Sequence, residues 1–228
     1  MIGTSVADRD TTRKRGTGGR PTQAQALQRD ARIVTVAAHL FMEHGFDGTS
    51  IDAVAQAAGV SKPTLYARYR DKRALFMAVV EERIREWLVP LSTAAEVQAL
   101  QAEPGDAEAV LDGLSRALLA HTQSPGAAAL TRCIVAAAIQ FPDLAKLAYE
   151  EGWLRAVSAV ARLLVVLDAQ GQIAVDDAEI GADLFINLVI GRSSRLALYG
   201  IAVDPEAQER RRRAAVALFL AGTQPPRG

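Results

Sequence analysis

Cysteine, histidine and aromatic residues are scarce in this sequence. Its single cysteine, Cys133, excludes an intrachain disulfide and a cysteine-rich metal site. Its three histidines lack the additional ligands that a metal site would need. Aromatic residues make up 5% of the chain and hydrophobic residues 50%, a balance that suits an alanine-rich, all-helical protein. We therefore expect no metal and no cofactor.

Long apolar runs and enzyme motifs are missing as well. The two most apolar stretches, 156–167 and 180–190, are interrupted by Arg162 and Asp183 and are too short to span a bilayer. The N-terminus is polar and has no apolar signal-peptide core. Phosphate-binding, dinucleotide-binding, nucleophile-elbow and zinc-protease motifs do not occur. We expect a cytoplasmic protein that neither enters a membrane nor catalyses a reaction.

The chain has no net charge, because 26 basic residues balance 26 acidic ones. The charges are unevenly distributed. Through residue 75 there are twelve basic and seven acidic residues, a net charge of +5, so the remainder carries −5. A basic N-terminal part joined to an acidic remainder is expected of a DNA-binding module attached to a module that does not bind DNA.

The stretch 49–70 has the pattern of a helix-turn-helix motif. Thr49 or Ser50 can cap its first helix, Gly59 can adopt the positive φ of the turn, and Ser61 can cap the second helix. A proline two residues after Ser61 fits only the first turn of a helix. Apolar residues of the first helix recur at helical spacing, at Ile51, Val54, Ala55 and Ala58.

The same stretch resembles the TetR (tetracycline repressor) family. The residues that carry the resemblance are Gly59–Tyr66, Tyr69 and Lys72, with Ala37–Phe41 and Gly45–Ser50 upstream. A looser similarity to AefR-like members of the family lies in Phe141–Ala145 and in the joint 171–177. The resemblance implies an all-α fold with an N-terminal three-helix, helix-turn-helix DNA-binding domain and a C-terminal helical ligand-binding and dimerisation domain.

Periodicity predicts about nine helices and no strand. The expected domains are a flexible basic arm (1–24), a DNA-binding head (25–72), a helical body (73–222) and a short tail (223–228). The helix that begins near residue 71 should end or bend at Pro90, because an interior proline removes a backbone donor.

Position within the motif predicts the DNA contacts. Lys62, Pro63 and Thr64 lie at the N-terminal end of the second helix, the end that reaches base edges. The resemblance implies phosphate contacts for other residues of the motif, and Arg20 belongs to an arm that could follow phosphates or enter a minor groove. A solvated tail is the alternative for the arm. The predicted DNA-binding residues are Arg20, Thr49, Ser50, Ser61, Lys62, Pro63, Thr64, Tyr66, Tyr69 and Lys72.

The resemblance also implies a ligand cavity in the body and a dimer interface on the last two helices. Candidate cavity residues are Trp87, Cys133, Trp153, Phe185 and Arg192, with core packing or, for Arg192, an ion pair as the alternative. Candidate interface residues are Leu184, Leu188, Gly191, Leu196, Ala214 and Leu218, with intrachain core as the alternative. The run Arg210–Arg213 is expected to be a solvated helix face at the edge of the dimer.

Together these features predict a ligand-responsive, homodimeric transcriptional regulator, most simply a repressor, that binds a palindromic DNA operator. Its effector is an unidentified small molecule. The alternative is a ligand-sensing helical protein whose helix-turn-helix binds another protein. Lys62, Thr64, Tyr66, Tyr69 and Lys72 favour DNA, because their chemistry suits phosphates and base edges.

Overall fold

A computed structural model describes residues 23–101 and 106–225, with side chains except at 87–101 and Pro125. These residues form helices and turns and no strand, so the predicted all-α class is confirmed. The helices are α1 (Gln23–Gly48), α2 (Ile51–Ala58), α3 (Lys62–Arg68), α4 (Lys72–Gln101), α5 (Ala107–Thr122), α6 (Pro125–Ala137), α7 (Pro142–Ala148), a π-helix (Tyr149–Leu154), α8 (Arg155–Ala169), α9 (Ala178–Leu198) and α10 (Pro205–Gly222).

The segments α7, π-helix and α8 follow one another without a break. Together they form one continuous helical segment over residues 142–169. Counting them as one gives nine helices in the described part of the chain, the predicted number.

Helix α1 changes direction at Gly45, whose φ of 73° lies in the left-handed region that glycine tolerates. The residue that follows, Phe46, turns back onto the helix. Its ring centroid lies 6.1 Å from that of Phe41 and 5.1 Å from that of Phe76 on α4. The regular part of α1 therefore ends at this glycine.

Of the two outcomes predicted at Pro90, the end of the helix does not occur, because α4 continues to Gln101. A proline removes one backbone donor, a local loss that a long helix survives when neighbours support it. Helix α4 packs against α1, α5 and α8.

Two clusters of buried apolar side chains form the core. The head cluster joins α1–α4 to α6 and α7 and includes Phe41, Leu65, Phe76, Cys133 and Leu144. The body cluster joins α5, α8, α9 and α10. The head therefore packs on α6 and α7 through a shared core, since residues of these helices are buried in the same cluster as the helix-turn-helix.

The prediction that Arg210–Arg213 is a solvated face is wrong for Arg212, which is 1% exposed. Its guanidinium bridges α10 to α5, with Nη1 2.5 Å from Asp112 Oδ1 and 2.6 Å from Ser115 Oγ. The same guanidinium donates twice to Glu209, at 2.8 Å each. Hydrogen bonds from Arg212, and then from Arg213, lower the pKa of Glu209 to about 2. The acids on two helices make burial of this cation possible.

Candidate nucleic-acid interface

Helix α2 is defined by a polar cap at its start and a glycine at its end. Ser50 has extended backbone geometry, and its Oγ accepts the Ala53 N–H at 3.0 Å. Gly59 has a φ of 63°, and the backbone N–H groups of Gly59 and Val60 close the last turn. A Cβ at Gly59 would lie 2.8 Å from Arg32 Nη2, so both backbone strain and space favour glycine.

Helix α3 begins three residues later, at a second cap. Ser61 Oγ accepts the Thr64 N–H at 3.2 Å and lies 2.7 Å from Thr64 Oγ1. Leu65, on the inner face of the helix, is fully buried in the head cluster. The N-terminal end and outer face are therefore left towards solvent, as the recognition helix of a helix-turn-helix requires.

The predicted DNA-binding residues separate into two groups in the structure. The accessible group lies at the N-terminal ends of α2 and α3 and along the outer face of α3. Its members are Ser50, Ser61, Lys62, Pro63 and Tyr66, which are exposed, and Thr64, which is half-buried. Arg20 lies outside the described residues.

Thr49 belongs to the second group, whose side chains are buried or half-buried and contact the interior of the head. It is 2% exposed, and its hydroxyl lies 3.0 Å from the Leu40 carbonyl oxygen and 2.9 Å from that of Gly45. A hydroxyl has a single proton to donate, and these two acceptors share it. Thr49 therefore fixes the junction between α1 and α2.

Lys72 and Tyr69 also contact the interior. The Lys72 ammonium donates to the Thr49 carbonyl oxygen at 3.0 Å and lies 4.4 Å from the centroid of the Phe46 ring. Tyr69 is 8% exposed in the head cluster, and burial raises the pKa of its hydroxyl. These two side chains hold α4 and the end of α3 against the α1–α2 junction.

Both cations of α3 are paired with carboxylates on other helices, which sequence reasoning missed. Lys62 Nζ lies 2.8 Å from Asp52 Oδ1 on α2, and Arg68 Nε lies 2.9 Å from Asp30 Oδ2 on α1. The hydrogen bond with Asp52 raises the pKa of Lys62. The partners are ten and 38 residues apart in sequence, so no helical spacing could reveal them.

Within the described residues, no helix is long and apolar enough to cross a membrane. The same part of the chain holds no cluster of three or more histidine, cysteine or acidic side chains that could bind a metal ion.

Two family models match the chain. One, described as bacterial regulatory proteins of the TetR family, matches residues 33–79. The other, described as the C-terminal domain of AefR-like transcriptional repressors, matches residues 109–222, half of the chain. The chain belongs to the TetR family. This membership agrees with the resemblance that the helix-turn-helix stretch carries.

Solved structures of TetR-family regulators agree with this assignment. A TetR-family regulator from Mesorhizobium loti is 26% identical, with a TM-score of 0.82 over 88% of this chain and 98% of that chain. The flavonoid-responsive regulator FrrA is 30% identical, with a TM-score of 0.65 over 88% of this chain and 99% of FrrA.

Curated relatives match the head. The Escherichia coli regulator RutR is 35% identical over 80 residues, 35% of this chain and 37% of RutR. The chain spans 37% of the length of the first curated relatives that it matches, so similarity to them concerns the DNA-binding part.

Of the candidate ligand residues whose side chains the structure describes, Phe185 and Trp153 share the body cluster, whereas Cys133 and Arg192 lie apart from it. Cys133 packs in the head cluster, where its thiol lies 3.4 Å from the Phe41 carbonyl oxygen and burial raises its pKa. Phe185 is fully buried in the body cluster, and Arg192 is exposed. The Trp153 indole N–H donates to a carboxylate of α9, Asp183 Oδ1, at 2.8 Å. The Trp87 side chain lies outside those described.

The candidate interface residues lie on α9 and α10 and are largely accessible in the single chain. Leu184 is 55% exposed and Leu218 62% exposed. Ala214 is exposed, and the remaining three candidates, Leu188, Gly191 and Leu196, are half-buried. Large apolar side chains at this exposure leave apolar area that a partner surface could cover.

Proposed function

We propose that this TetR-family regulator is a homodimeric repressor that binds a palindromic operator and releases it when a small molecule binds the body. The observation that carries the proposal is the accessible N-terminal end of α3. Lys62, Pro63 and Thr64 are available there, while Leu65 attaches the inner face of the helix to the head cluster.

Each accessible residue has a role on DNA. The Lys62 ammonium donates to guanine or phosphate, Pro63 contacts a thymine methyl group, and the Thr64 hydroxyl serves a base or the backbone. Tyr66, 45% exposed, and Ser50, at the start of α2, hold phosphates.

The remaining predicted contacts act differently in this proposal. Thr49 and Tyr69 support the helix-turn-helix from within, because both are buried. Lys72 donates to the Thr49 carbonyl oxygen and is half-buried, so its ammonium supports the fold and keeps donors for a phosphate. Arg20 stays a predicted contact of the basic arm with phosphates or with the minor groove.

The proposed dimer uses the apolar face of α9 and α10. A two-fold axis places the same patch of each protomer against its copy, so Leu184 and Leu218 both become covered. Two heads held at a fixed separation can meet successive major grooves, which is why a palindromic site is expected.

The proposed effector acts by changing that separation. A ligand that binds more tightly to a dimer with the wrong head spacing releases DNA by population shift. Flavonoids are the first compounds to test, because FrrA, 30% identical over 88% of this chain, is flavonoid-responsive.

Selection of bound sequences from a random duplex pool, at a defined salt concentration, tests the operator model. The expected result is a palindrome whose half-sites lie about one helical turn apart. Lys62→Met should relax the preference at one base pair of each half-site, worth about 1–3 kcal/mol of discrimination. Tyr66→Phe should weaken binding to all selected sequences equally.

Three results would contradict parts of this proposal. Enrichment of a single, non-repeated motif would argue against two heads on one site. A uniform loss of affinity with Lys62→Met would remove Lys62 from base readout. Sedimentation of Leu184→Glu with Leu218→Glu should show monomers, and a dimer that survives both changes would exclude this face.

A further inference from the structure

We propose that Asp52 is a specificity-determining residue, which positions the Lys62 ammonium for a base edge and withholds it from phosphates on non-operator DNA. This inference rests on the proposed binding of DNA through α3. Asp30 has the corresponding role for Arg68 at the other end of the helix.

The geometry of the pair supports a positioning role. Lys62 Nζ lies 2.8 Å from Asp52 Oδ1 and 3.1 Å from Oδ2, so the carboxylate holds the ammonium through both oxygens. Lysine has a long, flexible side chain, and without a partner its charge would sample many positions. The ion pair confines that charge to the side of α3 that faces the first turn of α2.

The pair leaves Lys62 able to contact a base. An ammonium has three donors, and Asp52 uses part of that capacity. Both side chains are exposed, at 50% for Lys62 and 67% for Asp52, so a DNA acceptor can approach the remaining N–H groups. A guanine edge offers acceptors at a fixed position, whereas a phosphate would have to draw the ammonium away from the carboxylate.

Separation of the pair on DNA is unfavourable because Asp52 would then stand unpaired near a polyanion. If the Lys62 ammonium moved to a phosphate of non-operator DNA, the Asp52 carboxylate would lose its partner. Lys62 should therefore neutralise no phosphate there and release no counterion. The same reasoning applies to Arg68, whose Nε lies 2.9 Å from Asp30 Oδ2. Both cations of α3 are held in this way, which lowers sequence-independent affinity.

The test is a double-mutant cycle on non-operator DNA with the full-length protein. Wild type, Asp52→Asn, Lys62→Met and the double variant are titrated with a 30-base-pair duplex of scrambled sequence over a range of salt concentrations. Asp52→Asn should steepen the slope of log K against log salt by up to about 0.9, the value for one additional phosphate contact. Non-operator affinity should rise several-fold, and the Lys62→Met background should abolish both changes.

Two further variants test whether the effect of Asp52→Asn comes from the lost contact with Lys62 or from the change in net charge. Glu43→Gln also removes one negative charge from the head, but Glu43 pairs with His39 and His44 of its own helix, so the slope should stay at the wild-type value. Asp52→Glu keeps the carboxylate and should restore the wild-type slope. Thermal unfolding checks each fold. If Asp52→Asn unfolds, Asp52→Ser replaces it, and the cycle of Asp30→Asn with Arg68→Met repeats the test at the second pair.

The outcomes distinguish this inference from the proposed function. An unchanged slope for Asp52→Asn would overturn the positioning role, as would an equal increase in the Lys62→Met background. In either case salt-dependent binding by the wild type would leave the proposed function intact. A wild-type protein that binds neither the scrambled duplex nor a selected operator would overturn both.

Discussion

Because the guanidinium of Arg212 is buried, we expect its substitution to lower the free energy of unfolding substantially. Replacement by methionine keeps most of the side-chain length and removes the charge and all donors. In the wild type, Arg212 donates to Glu209 on its own helix and to Asp112 and Ser115 on α5. The substitution therefore breaks the polar connection between α5 and α10.

The magnitude follows from the contacts that are lost. Removal of one partner from a buried ion pair destabilises a protein by about 3–5 kcal/mol. The lower end applies here, because the Asp112 side chain is 28% exposed and keeps Arg116, and Glu209 keeps Arg213. A loss of about 3 kcal/mol corresponds to a fall in Tm of about 6–12 °C for a chain of this length.

The assay is thermal unfolding followed by the helical circular dichroism signal. Protein concentration must be the same for all variants, because dissociation of a dimer contributes to the measured Tm. Arg213→Met is the matched control: Arg213 is 70% exposed and pairs with the same glutamate. Surface pairs contribute at most about 1 kcal/mol, so the control should shift Tm by no more than about 4 °C. Equal decreases in Tm for the two variants would refute the conclusion that the buried Arg212 guanidinium stabilises the packing of α10 on α5.

Two further predictions concern a turn and a carboxylate. Gly59→Ala should destabilise the protein by about 1–2 kcal/mol, because alanine is strained at a φ of 63° and its Cβ would displace Arg32. Chemical denaturation measures the loss of stability, and an unchanged denaturation midpoint would contradict the prediction. Glu209 has a folded-state pKa of about 2 against an ordinary 4.5, so its stabilising contribution is present above about pH 4.5 and is lost as the pH falls towards 2. Urea unfolding at pH 7 and pH 3 should show a smaller acid-induced loss of stability for Glu209→Gln than for wild type, and an equal loss would contradict the folded-state pKa.

Local interactions made much of the head predictable from sequence. The caps at Ser50 and Ser61 bond backbone groups three residues away, and the turn at Gly59 depends on the φ of one residue. Short-range effects of this kind are present in any window of a few residues. The buried residues of α1, among them Ile33, Ala37 and Phe41, likewise recur at helical spacing that the sequence displays.

The role of individual polar side chains depended on residues far away in the chain. The run Arg210–Arg213 was expected to be a solvated face, and only the packing of α10 on α5 shows that Arg212 is buried among acids, one of them 100 residues earlier in the chain. Lys72 has the residue type of a phosphate ligand, yet the fold places its ammonium on the carbonyl oxygen of Thr49.

The helix-turn-helix itself was thus determined by its own sequence, through caps, a glycine and a short apolar face. The tertiary structure decided which of its polar groups remain available. Lys62 meets Asp52 because the turn brings the starts of α2 and α3 together. Thr49 is satisfied internally because α1 bends at Gly45. A side chain's type sets what it can bind, but the distances to partners from other helices set what it does bind.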